Sequence, residues 1–95
     1  MKLHYYGYTF EQVSNYAYET FESNGICFML QCSGLFGVKV VNNTISNPVA
    51  IIKIDGLFHR YVLEDFEINT DSKGNLTLTK EELDDIGNSL KSMLT

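Results

Sequence analysis

Short apolar runs separated by tight-turn sequences fill the middle of the chain and restrict the folds open to it. Val49–Ile54 and Leu57–Leu63 flank Asp55-Gly56, a dipeptide typical of a type I′ hairpin, whose two central residues need positive φ. Ile26–Cys32 and Leu35–Val41 flank another two-residue turn sequence, Ser33 followed by Gly34. Because tight hairpins join antiparallel strands, these patterns predict a mostly antiparallel sheet.

The segments between and after these hairpins are less regular. Asn42–Pro48 is rich in Asn, Thr and Ser and is predicted to be a loop. Phe66–Asn69 and Leu76–Leu78 flank the polar tip Thr70–Asn75, which predicts either a third hairpin or the continuation of a long strand. The alternation of apolar and polar residues shifts phase near Glu64-Asp65, which indicates a bulge or a break.

An amphipathic helix is predicted near each end of the chain. Thr9 and Gln12 have the spacing of a capping box, and an apolar stripe that includes Ala17 and Phe21 follows, so we expect a helix over residues 10–23, ended by Asn24 or Gly25.

Thr79 and Glu82 form a second capping box before the apolar positions of a C-terminal helix. Gly87 falls near the buried stripe of that helix, where it would permit close contact with the sheet. With 95 residues, the chain has enough material for one domain. The predicted fold is therefore a single α+β domain of four to five mostly antiparallel strands, in the order α-β-β-β-β-(β)-α.

The central strands carry apolar residues on both of their faces. Ile26, Phe28 and Leu30 alternate with Cys27 and Met29, whereas a strand with one wet face would alternate with polar residues. Either one helix covers each face, or both helices share one face and a partner or a second copy covers the other. We favour the second arrangement, because tight antiparallel hairpins commonly leave helices on one side of the sheet.

Composition excludes several classes of function. The net charge is −5 and the seven Lys and Arg residues are scattered, so we expect neither nucleic-acid binding nor attraction to an acidic membrane surface. No apolar run is long enough to span a bilayer and the N-terminus lacks the apolar region of a signal peptide, so the expected location is the cytoplasm.

No catalytic, cofactor or metal site is predicted. Five residues of strand would separate the Cα atoms of Cys27 and Cys32 by about 17 Å, whereas a disulfide spans at most about 7 Å. His4 and His59 lack the close partners of a zinc site. The stretch 69–76 resembles a calcium loop, but its register places Lys73 and Lys80 at ligand positions. A thiol–imidazole pair using His59 is not supported by any sign of an activated cysteine.

The candidate interaction surface combines tyrosine and acidic side chains. Tyrosine anchors interfaces at low entropic cost, although these rings would equally cap the edge of the core. The acidic groups either imitate phosphates or simply face solvent. The candidate residues are Tyr5, Tyr6, Tyr8, Tyr16, Tyr18, Glu11, Glu19, Glu22, Glu81, Asp84 and Asp85.

These patterns favour a non-enzymatic, small acidic protein-binding module, comparable to the compact inhibitors that phages and mobile elements encode and acting by occupying a partner's surface. Two alternatives stay open. One is a small-ligand-binding or enzymatic domain with a pocket between the predicted N-terminal helix and the sheet, lined by Tyr16, Phe28, Phe36 and His59. The other is a structural homodimer.

Overall fold

The computed structural model describes residues 2–6, 16–34 and 40–94. Its elements are β1 (Lys2–Tyr6), β2 (Tyr16–Ser23), β3 (Ile26–Gly34), β4 (Val40–Val41), β5 (Thr44–Ser46), β6 (Val49–Ile54), β7 (Leu57–Glu64), β8 (Glu67–Asn69) and α1 (Lys80–Leu94). A five-stranded sheet has the order β1-β7-β6-β3-β2, and a three-stranded sheet has the order β4-β5-β8. All pairs in both sheets are antiparallel, as predicted.

The predicted N-terminal helix over residues 10–23 is wrong, because residues 16–23 form β2; residues 10–15 lie outside the described residues. Ala17 and Phe21 are four residues apart, a spacing that keeps side chains on one face in both a helix and a strand. Tyr16, Tyr18, Thr20 and Phe21 are of residue types that favour strands. Asn24 and Gly25 have φ of 53° and 78°, so they form a hairpin turn between β2 and β3 rather than a helix cap.

Two other predicted boundaries are also wrong. Ser33 and Gly34 do not form a turn; they extend β3 and pair with Ala17 and Tyr16 of β2. The predicted loop Asn42–Pro48 contains β5, which Asn42 and Asn43, with φ of 53° and 59°, connect to β4. Paired asparagines tolerate positive φ, so they suit the same tight turn as Asn-Gly.

The Asp55-Gly56 hairpin and the C-terminal helix are confirmed. Asp55 and Gly56 have φ of 51° and 80°, and β6 pairs with β7 through them. At the start of α1, the backbone N–H of Glu82 donates to Thr79 Oγ1 and the N–H of Thr79 donates to Glu82 Oε1, each at 3.1 Å. This reciprocal pair is the predicted capping box.

Strand β7 ends at the point where the alternation of apolar and polar residues shifts phase. Asp65 has φ of 58°, and the chain passes from the five-stranded sheet into β8 of the smaller one. Thr70 and Leu76 form a single antiparallel bridge, beside which the backbone N–H of Thr77 donates to Asn69 O at 2.9 Å. The predicted pairing of residues 76–78 is therefore limited to this short contact.

One face of the five-stranded sheet packs against α1 and the smaller sheet. We call it the helix face; it includes Phe28, Leu30, Ala50, Ile52 and Leu63. Ile86 and Leu90 of α1, together with Ile45 and Ile68 of the smaller sheet, belong to the same buried cluster. Close approach of α1 to β2 depends on Gly87, as predicted, because a Cβ added there would lie 2.9 Å from Ser23 Cβ.

We call the opposite face of this sheet the far face; it includes Cys27, Met29, Ile51, Lys53 and Phe58. Register places Met29 beside Ile51 and Lys53 beside Phe58. Ile51 is fully buried although it points away from α1. Residues 49–52 of β6 are thus buried on both faces within one chain, and their burial does not require a partner.

Candidate functional site

The described tyrosines among the predicted surface residues do not lie together. Tyr5 and Tyr6 belong to β1, whereas Tyr16 and Tyr18 belong to β2. These strands are at opposite edges of the five-stranded sheet, a separation of about 19 Å at the usual spacing between strands. Tyr8 lies outside the described residues.

The described acidic residues are also divided. Glu81 and Asp85 are exposed on α1, whereas Glu22 is exposed on β2. Asp84 accepts a hydrogen bond from Ser23 Oγ at 2.8 Å, so this carboxylate also anchors α1 to β2. Glu11 lies outside the described residues.

Glu19 has an internal structural role. Its Oε2 accepts a hydrogen bond from the backbone N–H of Leu76 at 3.2 Å and lies 3.9 Å from Cys32 Sγ. Burial, followed by the charge of Glu19, raises the pKa of the Cys32 thiol. A raised pKa disfavours the thiolate, so Cys32 is poorly suited to act as a nucleophile.

His59 contributes to an aromatic cluster at the β1–β7 edge. Tyr5 Oη and His59 Nδ1 are 3.3 Å apart, and the Tyr5 and Tyr61 ring centroids are 5.3 Å apart. Cys27 points to the far face whereas His59, paired with Ile52, points to the helix face. The sheet therefore separates these two groups and excludes the thiol–imidazole pair between them.

The calcium-like loop is held by its own polar groups. Asp71 Oδ1 accepts the backbone N–H groups of Lys73 and Asn75, each at 2.9 Å. These and related hydrogen bonds, those of Asn75 first, lower the pKa of Asp71. The Asp71 carboxylate, which would be a ligand in a calcium loop, instead closes a turn. Within the described residues there is no group of three or more His, Cys, Asp or Glu side chains placed to hold a metal ion.

A groove of about 290 Å³ on the far face is the site that the sequence did not predict. Met29 and Phe58, both half-buried, supply its apolar surface, and the fully buried Ile51 also lines it. Thr20, Cys27 and Lys53 are exposed at its border. Lys53 Nζ lies 5.4 Å from the Phe58 ring centroid, which holds a positive charge beside the apolar surface.

The groove opens toward an edge of the sheet. Thr20 belongs to β2, which in the described part of the chain pairs only with β3. An edge strand presents backbone N–H and C=O groups that another extended segment can use. A signal for this site was present in the sequence: the Asp55-Gly56 register places Lys53 opposite Phe58. The contribution of Thr20 could not be predicted, because residues 10–23 were expected to form a helix.

Across the ranges that the structure describes, no helix has the length and apolar character needed to cross a membrane. The chain matches no protein-family model, no curated protein and no solved structure.

Proposed function

We propose that the protein is a small, acidic, non-enzymatic binding module that holds an extended segment of a partner protein along the β2 edge. The observation that carries this proposal is the apolar groove reaching Thr20 on that edge. A segment added to β2 would use backbone hydrogen bonds for affinity and place alternate side chains over the groove. Inhibition by occupying the partner's surface is the biological form of this binding that we propose.

The shape of the groove favours a polypeptide over a small molecule. Small-molecule sites usually enclose about 300–1,000 Å³ and bury most of the ligand. This groove, of about 290 Å³, is at the low end of that range, but it opens along a sheet face. It therefore accommodates a side chain better than it encloses a metabolite. The alternative pocket would also lose its helical wall, because residues 16–23 are strand. In addition, Phe28 is 1% exposed and belongs to the core.

A cytoplasmic location is part of the same proposal. Cys27 is an exposed free thiol, and such groups persist in reducing compartments.

Selection from a random twelve-residue peptide library against the full chain tests the proposed function. Peptides that bind β2 should lose binding to Thr20→Lys, because the added charged side chain would stand at the mouth of the groove. Ser46→Lys is the matched control, since Ser46 is also an exposed strand residue but belongs to β5. Equal binding to both variants, or no enriched peptide, would contradict the proposal.

Light scattering provides the second measurement. A dimer that Thr20→Lys dissociates and Ser46→Lys leaves intact would identify a second copy of this chain as the occupant of the edge. That result would replace the proposed partner with the homodimer alternative. A monomer whose selected peptides still require Thr20 supports a separate partner.

A further inference from the structure

We infer that the segment bound along β2 carries a basic residue two positions away from an apolar residue. This inference rests on the proposed function and specifies the chemistry of the partner at the same edge. It follows from the order of side chains that β2 presents on the far face.

Thr20 and Glu22 determine this order. Thr20 pairs with Met29 and Glu22 pairs with Cys27, so both point to the far face on the edge strand. Alternate residues of a strand share a face. An added strand would therefore place one side chain beside Thr20, at the apolar groove, and another beside Glu22, two residues along its own chain.

The two positions differ in polarity. Beside Thr20, an apolar side chain can reach over the short threonine to Met29, which is half-buried in the groove. Beside Glu22, a lysine or arginine would meet an exposed carboxylate that has no ion pair within the described ranges. Opposite charges on directly facing strand residues attract, whereas like charges repel.

The overall charge favours the same partner. With a net charge of −5, the chain attracts a basic segment over a longer range than the strand pair itself and repels an acidic one. Lys53 does not reverse this preference, because it is on β6 and the intervening β3 separates it from the β2 edge. Among the described residues, Glu22 on the edge strand is the side chain nearest the added strand at that level of the sheet.

Three blocked peptides test this chemistry with the full chain. Each has a Thr/Ser background; the central residues are Lys-Val-Leu in the first, Glu-Val-Leu in the second and Lys-Val-Ser in the third. Binding is followed by amide chemical shifts of β2 in isotope-labelled protein. We expect the Lys-Val-Leu peptide to bind about fivefold more tightly than the Glu-Val-Leu peptide, in keeping with one favourable cross-strand charge pair. The Lys-Val-Ser peptide should also bind more weakly, because it lacks the apolar side chain.

Charge reversal separates this inference from the proposed function. In Glu22→Lys, the Glu-Val-Leu peptide should become the tighter ligand, whereas Ser72→Lys, a change at an exposed turn residue, should preserve the wild-type order. If the peptides perturb β2 but Glu22→Lys does not change their order, the charge assignment is wrong and edge binding stands. If library peptides bind without perturbing β2 at all, the proposed function itself is wrong.

Discussion

Replacing Gly87 with alanine tests how α1 is held against the sheet. Alanine is favoured over glycine in a helix by about 1 kcal/mol, so an unobstructed helix would be stabilised. Here the new Cβ would lie 2.9 Å from Ser23 Cβ and 3.0 Å from both Ser23 oxygen atoms. The backbone oxygen cannot rotate away, so α1 or β2 must shift.

The expected net effect is destabilising. Overpacking of this kind costs about 1–3 kcal/mol, and displacement of Ser23 would also weaken its 2.8 Å hydrogen bond to Asp84, a type of bond worth about 1.5–3 kcal/mol when intact. After the gain in helix propensity is subtracted, Gly87→Ala should reduce the free energy of unfolding by about 1–2 kcal/mol. For a domain of this size, the corresponding fall in Tm is roughly 5–15 °C.

Urea unfolding monitored by circular dichroism, together with thermal unfolding, measures this change. The same substitution in a Ser23→Gly background provides the control, since that background lacks the Cβ and Oγ that obstruct Gly87. The cost of Gly87→Ala should be smaller there, although the backbone oxygen of residue 23 still lies 3.0 Å from the added Cβ. A variant as stable as the parent, or more stable, in the wild-type background would refute this account of the α1–β2 contact.

Three further predictions concern other parts of the chain. Thr79→Ala should lower the free energy of unfolding by about 1 kcal/mol, because the helix loses its N-cap. Glu82→Gln keeps a side-chain acceptor and should lower it by less. Equal losses in urea unfolding would contradict the reciprocal cap. In the folded chain, Cys27 should react with a thiol reagent much faster than Cys32, whose pKa is raised; mass spectrometry should show one rapidly labelled thiol, and equal rates would contradict the structure. The pKa of the Asp71 carboxyl should lie below its ordinary value of 3.8. Its contribution to stability is therefore present above pH 3.8 and is lost as the pH falls through the lower pKa of the folded state. A pKa of 3.8 or higher in an NMR titration would contradict the turn.

Sequence reasoning succeeded where one local signal had one structural meaning. Asp55-Gly56 lies between two apolar runs of strand length, and Thr79 and Glu82 precede a long helical pattern. Each signal fixed an element without information from the rest of the chain. The shift in alternation near Asp65 also predicted the end of a strand, at the point where the chain passes from one sheet to the other.

Errors arose where a local signal fits two structures. Asn24-Gly25 suits both a helix end and a hairpin turn, and the spacing of Ala17 and Phe21 suits both elements. The choice was decided by the pairing of β2 with β3. The candidate surface was predicted with residues 16–23 as a helix. With these residues in β2, its described tyrosines lie on opposite sheet edges, and Glu19 accepts a hydrogen bond from the backbone N–H of Leu76.

The edge position of β1 has a consequence for how this chain folds during synthesis. Lys2 pairs with Glu64, so β1 cannot pair in the sheet until β7 has left the ribosome. At about 5–20 residues per second, this delay lasts roughly 3–12 s, during which the β2–β3 hairpin, which follows β1 in sequence, can already form. Nascent chains should therefore contain local hairpins well before the five-stranded sheet closes, and a pause in translation before β7 would prolong the exposure of an unpaired strand.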